Sequence, residues 1–254
     1  MPELHFTALT GLPSVQPGED VAGLLLEGIR GTGLALRDGD ILVIAQKIIS
    51  KAEGREVVLA TVTPGEMALE VAEVTGKDPR LVELILQESD AISRMAPGVL
   101  IVRHKLGFTS ANAGIDRSNV DQRGAEEAVL LLPRDPDRSA AAIRQALGAT
   151  TGVFPGVVIS DSHGRPFRLG TIGAAIGVAG IPALWDRRGE SDLYGYELQH
   201  TEVGVADEIA AAAGLLMGQG KEGLPAVLLR GLHLPQKEGQ ARDLVRPLEK
   251  DLYR

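Results

Sequence analysis

The stretch Val157-Val158-Ile159-Ser160-Asp161-Ser162-His163-Gly164-Arg165 constrains this chain most. Its three consecutive β-branched residues suit a pleated, buried strand. An acid, a hydroxyl, an imidazole, a glycine and an arginine follow, and Gly164 can take a left-handed turn. Asp161 then stands at a strand end, where ligands meet α/β sheets. There it can hold a hard cation, and Arg165 can hold a phosphate or carboxylate. A capping Asp followed by an ordinary turn fits the same letters.

The rest of the chain alternates strand and helix signals, which predicts a mixed α/β fold with flanking helices. Strands are expected at Leu4 to Leu9, Ile41 to Ala45, Val99 to Val102, Val129 to Leu132 and Ala226 to Leu229. A helix with Val21, Leu24, Leu25 and Ile29 on one face should follow Asp20 and stop at Gly31 and Gly33. Gln46 to Lys51 reads as a loop at the end of the second strand. Thr63-Pro64-Gly65-Glu66 spells a capping box with Pro at the first helical position. Its helix carries Met67, Leu69, Val71, Ala72 and Val74. Asp78-Pro79 opens another, with Leu81, Val82, Ile85 and Leu86 inward, and Ser139 is expected to cap a helix through Leu147. Gly170, Gly173, Gly177 and Gly180 lie in an apolar segment and suit close backbone packing. Val205 to Met217 is an Ala-rich helix, Gly218 to Pro225 a loop, and Glu238 to Arg254 a surface helix.

Composition narrows the chemistry. The 254 residues contain no cysteine, so a disulfide framework, a thiol nucleophile and a zinc-thiolate site are excluded. A net charge of −8 gives no broad nucleic-acid-binding face. No apolar run approaches the length of a membrane span, and no signal-peptide pattern opens the chain. A cytoplasmic protein that contacts neither nucleic acid nor membrane is expected.

Two acids, Asp116 and Asp161, each end a glycine-containing motif beside a strand. If they converge, two carboxylates about 4 Å apart repel by about 4 kcal/mol at an effective dielectric of 20, and a proton or cation must offset that. Oxygen ligands without thiolates point to Mg²⁺ or Mn²⁺. Two separate turn residues are the alternative. Lys51 fits a phosphate contact or a solvated lysine. The Gly218 to Gly223 loop fits a phosphate cradle or a plain connection. It fails the Walker pattern, with Leu215 where a glycine is required and Glu222 where Ser or Thr belongs. His163 fits a donor beside the site or an exposed turn. Asp192-Leu193-Tyr194-Gly195 fits a substrate contact or a packed turn with a buried tyrosine.

Taken together, several stretches resemble the coenzyme F420-0:L-glutamate ligase family. They are Gly11-Leu12-Pro13, Ile49-Ser50-Lys51-Ala52-Glu53-Gly54-Arg55, Asn112-Ala113-Gly114-Ile115-Asp116-Arg117-Ser118-Asn119-Val120 and Asp161-Ser162-His163-Gly164-Arg165. Asp192-Leu193-Tyr194-Gly195, Val205-Ala206-Asp207-Glu208-Ile209-Ala210 and Leu215-Leu216-Met217-Gly218 complete the set. The resemblance implies a single catalytic unit over residues 1–254, in a family-specific fold without a P-loop and without an added reductase-like domain. It implies a homodimer that uses GTP, Mg²⁺ or Mn²⁺, and potassium. It implies joining of L-glutamate to coenzyme F420-0, then of further γ-linked glutamates, through an acyl phosphate. Nucleotide contacts are implied at Leu12, Pro13, Ser14, Val15, Gln46, Lys47, Lys51 and Asn119. They continue through Met217, Gly218, Gln219, Gly220, Lys221, Glu222, Gly223 and Leu224. Metal contacts are implied at Asp116, Asp161, Ser162 and Gln219. Ser162 stands where many members carry Thr, and Gln219 where Glu can occur. No acid–base residue is implied; Lys51 and Arg165 are the catalytic candidates. The same chemistry on another carboxylate acceptor, a deazaflavin binder without ligation, and a metal-dependent phosphohydrolase stand as alternatives.

Overall fold

The computed structural model describes residues 3–120 and 127–251. In chain order the main elements are β1 (His5–Ala8), α1 (Val21–Gly31), β2 (Ile41–Ala45), α2 (Gln46–Ala52), β3 (Glu56–Val58), α3 (Glu66–Thr75) and α4 (Pro79–Gln87). Next come β4 (Ser89–Ala96), β5 (Val99–His104), β6 (Thr109–Ala111), β7 (Ala128–Leu130), α5 (Pro136–Thr151), β8 (Gly156–Arg165) and β9 (Arg168–Ala179). The chain closes with β10 (Trp185–Asp186), β11 (Glu202–Val203), α6 (Val205–Met217) and β12 (Ala226–Arg230). The fold is α/β, as expected. Among the described residues no helix is long and apolar enough to cross a membrane.

A five-stranded sheet in the order β1-β12-β2-β8-β9 forms the body. Only β2 and β8 pair in parallel, from Ile41↔Gly156 to Ala45↔Ser160. The sheet is covered on both faces, which explains its unbroken apolar runs. Leu42, Ile44, Val157 and Ile159 face α1, α2 and α5 through Leu25, Ile49 and Leu147. Their neighbours Ile41, Val43 and Val158 face α6 through Ile209 and Ala213. The alternation is the two-residue period of a strand.

Between β2 and β8 the chain builds a second lobe. Helices α3 and α4, the sheet β4-β5-β6 and the pair β3-β7 enclose their own core of Leu59, Val71, Val82, Ile85, Leu100, Val102 and Val129. The lobe is thus an insertion in the crossover between the two parallel strands.

Several local expectations are corrected. Gln46 to Lys51 is helix α2, not a loop. The capping box does not form: α3 starts at Glu66, with Gly65 in the N-cap position and no side-chain cap. That helix buries Ala68, Val71, Ala72 and Thr75 and leaves Met67, Leu69 and Val74 exposed, because the lobe presents a single narrow face to it. Helix α5 begins at Pro136, with Asp135 rather than Ser139 as cap; the Asp135 side chain accepts from the Arg138 amide. Strand β8 runs on through Gly164, whose φ is not positive; the reversal falls at Phe167, φ 59°. Strands β4 and β6 were not expected. The tail to Asp251 forms two short 3-10 turns, Ala241–Leu244 and Leu248–Lys250, not a helix, and residues 252–254 lie outside the described residues. Tyr194 is 94% exposed, so the packed turn with a buried tyrosine is ruled out.

Of the four glycines expected to pack closely, Gly173 and Gly177 meet helix backbone, whereas Gly170 has open space around it and Gly180 faces the Arg144 side chain. A Cβ at Gly173 would stand 2.4 Å from the Ala210 carbonyl oxygen of α6, and one at Gly177 would stand 2.5 Å from the Pro136 carbonyl oxygen of α5. Helices can therefore lie directly on the strand. Asp207, in the first turn of α6, accepts from the Ala175 amide at 2.8 Å and covers the break in pairing between Ile159 and Ser160. Burial pushes its carboxyl pKa up. A raised folded value means that ionisation opposes folding: the stabilisation is complete below the ordinary value of 3.8 and is lost as pH rises through the folded value. Asp207→Asn keeps an acceptor without the charge. Its melting temperature is expected to exceed that of the wild type at neutral pH, with the gap closing in melts recorded towards pH 4.

Candidate functional site

The sheet topology brings most of the sequence-predicted positions to one edge. Strand β2 ends at Ala45 and passes directly into α2. Strand β8 outruns its parallel partner at Ser160, so Asp161 is the first residue beyond the shared pairing. Strand β12 runs the other way, and the Ala45 amide bonds the Pro225 carbonyl just before it, so the Gly218 to Leu224 loop arrives at the same edge. Strand β1 ends there too: the Leu9 amide bonds the Ala226 carbonyl, and Leu12 to Val15 follow.

The helical form of α2 gives its polar residues their roles. Lys47 and Lys51 are four apart and share one stripe. Lys47 Nζ reaches Asp116 Oδ2 at 2.6 Å and Ser118 Oγ at 3.2 Å. Lys51 Nζ donates to the Asn119 carbonyl at 2.8 Å. Gln46 is buried, accepts from Ser50 Oγ at 2.8 Å and extends Nε2 to Asp116 at 3.5 Å. On the far side Leu12, Pro13 and Val15 pack with Leu24, Leu25 and Ile48 around a small apolar hollow between α1 and α2. Ser14 is exposed beside it.

Asp116 is delivered by the second lobe. After β6 the chain makes a left-handed turn through Asn112, Ala113 and Gly114, with φ of 53°, 54° and 66°. Left-handed conformation at a non-glycine residue costs about 1–2 kcal/mol, and Ala113 is held in it fully buried. The turn aims Ile115 inward and places Asp116 in a bridge to Leu130. Such strain gathers at functional sites.

On β8 the side-chain alternation separates two neighbours. Asp161 turns to His163, whose Nε2 is 3.1 Å from Oδ2, and its side chain is only 9% exposed. Ser162 points to the opposite side, where its Oγ donates to Gln219 Oε1 at 2.9 Å. The implied metal positions thus divide into the acids Asp116 and Asp161 and the neutral pair Ser162 and Gln219. All four offer hard oxygen donors. Among the described residues no three His, Cys, Asp or Glu side chains form a cage. One or two carboxylates completed by water and substrate phosphates is the manner in which Mg²⁺ is held, so these residues fit that ion or Mn²⁺.

The loop after α6 is no P-loop. It lies between a helix and a strand in that order, at the negative end of a helix dipole. Its own amides supply the positive field. Glu222 Oε2 accepts from the Gly220 amide at 2.7 Å, and amides of the loop hold the Glu222 carboxyl below its ordinary pKa. Gly218 and Gly223 take positive φ, 68° and 67°. A concave set of amides that binds one carboxylate has the chemistry to bind a phosphate. Met217 and Leu224 flank the loop half-buried, while Gln219, Gly220 and Lys221 are exposed. Asn119 Nδ2 reaches the Gly220 carbonyl at 3.4 Å and ties the loop to the Asp116 segment.

Arg165 is not gathered with these groups. It lies four residues past Asp161, about 13 Å along an extended strand, and donates to the Leu169 carbonyl at 3.3 Å in the hairpin. Of the two readings of His163, the donor beside the site is the one that holds: β8 continues past Asp161 and puts both residues on one face by period two. Sequence reading passed over Phe108, whose ring stands 4.7 Å from His163.

A family model described as F420-0:Gamma-glutamyl ligase matches residues 11–231. The coenzyme F420:L-glutamate ligase of Methanothermobacter thermautotrophicus is 50% identical, over 99% of this chain and 99% of its own length. The protein of that name from Methanopyrus kandleri is 44% identical over 100% and 99% of the two chains, and that from Halobacterium salinarum 42% over 99% and 96%. This chain belongs to the F420-0:gamma-glutamyl ligase family.

Proposed function

We propose that this protein joins L-glutamate to coenzyme F420-0 and then adds further γ-linked glutamates, converting GTP to GDP and phosphate. The observation that carries this reading is the convergence at one sheet edge of two acids from different lobes, two lysines from one helix stripe and an amide-lined loop. That set suits a polyphosphate beside a carboxylate acceptor.

A carboxylate is a poor acyl donor. Transfer of the GTP γ-phosphoryl group to the acceptor carboxylate makes an acyl phosphate; the glutamate amine attacks its carbonyl and phosphate departs. Asp116, Asp161, Ser162 and Gln219 would hold Mg²⁺ or Mn²⁺, which neutralises phosphate charge and aligns the groups when bound. The alternation on β8 suggests two cation positions, one for the acids and one for the neutral pair. Lys51 meets phosphate as a point charge. Lys47 balances Asp116. The loop amides of residues 218–224 replace the Glu222 carboxylate with phosphate oxygens. Leu12, Pro13 and Val15 offer an apolar wall to the base, with Ser14 at its rim. Potassium is a further requirement, tested by its omission.

The working form is a homodimer. Phe167 and Leu169, at the tip of the β8–β9 hairpin, are 96% and 99% exposed, and full exposure of such residues suits burial in a second copy.

The test is mass spectrometry of coenzyme F420-0 incubated with the protein, GTP, Mg²⁺ and L-glutamate. A GTP-dependent ladder of glutamyl increments is the expected result. Folded protein that binds GTP and adds nothing would redirect the search to another acceptor. GTP loss that does not require glutamate would identify a phosphohydrolase.

A further inference from the structure

Three rings join the two lobes beside Asp161. His104 closes β5, and its amide donates to the Phe108 carbonyl at 2.8 Å across the turn that follows. The two rings stack with centroids 5.2 Å apart and planes within 10°. Phe108 also meets His163 of β8, centroids 4.7 Å apart and tilted by 47°. His163 in turn stands at Asp161 Oδ2. Phe108 and Asp116 belong to one short segment of the second lobe, whereas Asp161 belongs to the main sheet. The array therefore links the segment that carries Asp116 to the strand that carries Asp161.

Its far end is fixed. His104 is buried, and Nδ1 accepts from the Leu106 amide at 2.9 Å. That bond places the ring proton on Nε2. Glu88 is 3.8 Å from Nε2, beyond hydrogen-bond range, and Arg55 engages the same carboxylate oxygen at 2.6 Å. Burial lowers the pKa of His104, so the imidazole is neutral. A neutral, immobile ring is a stacking platform, not an acid or base. The aromatic scarcity of the chain, with four Phe, three Tyr and one Trp, makes a stack at this point a specific use of the type.

We propose that His104, Phe108 and His163 are positioning residues. They hold the Asp161 carboxylate in one rotamer and fix its separation from Asp116, and so set the affinity for the divalent cation. The proposal rests on the reading of those two acids as cation ligands.

The test is Mn²⁺ binding to the whole protein, followed by electron paramagnetic resonance of the free ion, with thermal melts and steady-state rates at varied Mn²⁺. Phe108→Leu keeps apolar volume and removes the flat ring. His163→Asn keeps a donor for Asp161 and removes the stack. Each is expected to weaken Mn²⁺ binding roughly tenfold or more, the scale of outer-shell effects on metal sites. The KM for Mn²⁺ should rise while kcat at saturation returns to within about twofold of wild type. Phe108→Tyr restores the ring and should restore affinity. A lower melting temperature with unchanged Mn²⁺ affinity would show a merely structural contact and overturn the proposal. Asp161→Asn serves as the reference. If it weakens Mn²⁺ binding and the ring variants do not, the positioning role alone falls. If Asp161→Asn also leaves affinity unchanged, the assignment of the acids falls, and the positioning role with it.

Discussion

Asp161→Asn is expected to slow glutamate ligation by about a thousandfold while leaving the melting temperature near that of the wild type. Asparagine has nearly the same size and still accepts a hydrogen bond from His163, so β8 keeps its packing. What disappears is a full negative charge on a side chain that is almost out of water. Cation-assisted charge stabilisation is worth several kcal/mol, and each 1.36 kcal/mol is a factor of ten in rate. Asp116→Asn should act in the same direction, because Lys47 then points at a neutral amide and leaves the site more positive. The check is single-turnover ligation with saturating GTP at several Mg²⁺ concentrations, alongside thermal melts. Near-normal rates for both variants at limiting Mg²⁺ would remove the two acids from the cation site.

Gly173→Ala should damage the protein at a distance from that chemistry. The added methyl would lie 2.4 Å from the Ala210 carbonyl oxygen and 2.7 Å from its carbon. Both are backbone atoms of a packed helix, so no side chain can swing aside. Helix α6 must move away from β9. Overpacking of this kind costs about 1–3 kcal/mol, and at this chain length about 2–4 °C of melting temperature goes with each. A fall of about 5–10 °C is expected. The displacement also carries off the loop that follows α6, so GTP binding should weaken together with stability. Gly164→Ala on the same hairpin is the control: open space surrounds that position, its φ is ordinary, and the melt should shift by no more than about 2 °C. Equal melts for the two variants would refute the close-packing argument.

The sequence made some parts of this architecture plain and hid others for physical reasons. Strands β2, β8 and β12 were legible because they are covered on both faces and leave unbroken aliphatic runs. The Gly173 and Gly177 contacts were legible because close approach of two backbones demands glycine. Helix α2 was not. Its seven residues include Gln, Lys and Ser, it follows a strand without a turn residue, and its start has no side-chain cap. Reading it as a loop concealed the fact that Lys47 and Lys51 share a face. Strand β4 was hidden because it is largely exposed and its pairing is broken twice by register shifts. Asp116 and Asp161 were chosen from local motifs and family resemblance. Their arrival at one sheet edge depends on pairings between segments far apart in the chain, which no local pattern encodes. The stack of His104, Phe108 and His163 was invisible for the same reason.

The insertion of a whole lobe between β2 and β8 has a consequence for how the protein comes into being. The two parallel strands can meet only after residues 46–155 have been gathered between them, and closing so long a loop delays their pairing. Asp161 reaches the site only with that pairing, whereas Asp116 and Lys47 belong to the inserted stretch. A chain emerging from the ribosome therefore cannot bring Asp161 beside β2 until that crossover closes, and β12 must still enter between β1 and β2 to bring the Gly218 to Leu224 loop to the same edge. Acquisition of divalent-ion affinity during refolding should coincide with the slowest structural phase, which makes the ion itself a reporter of finished molecules.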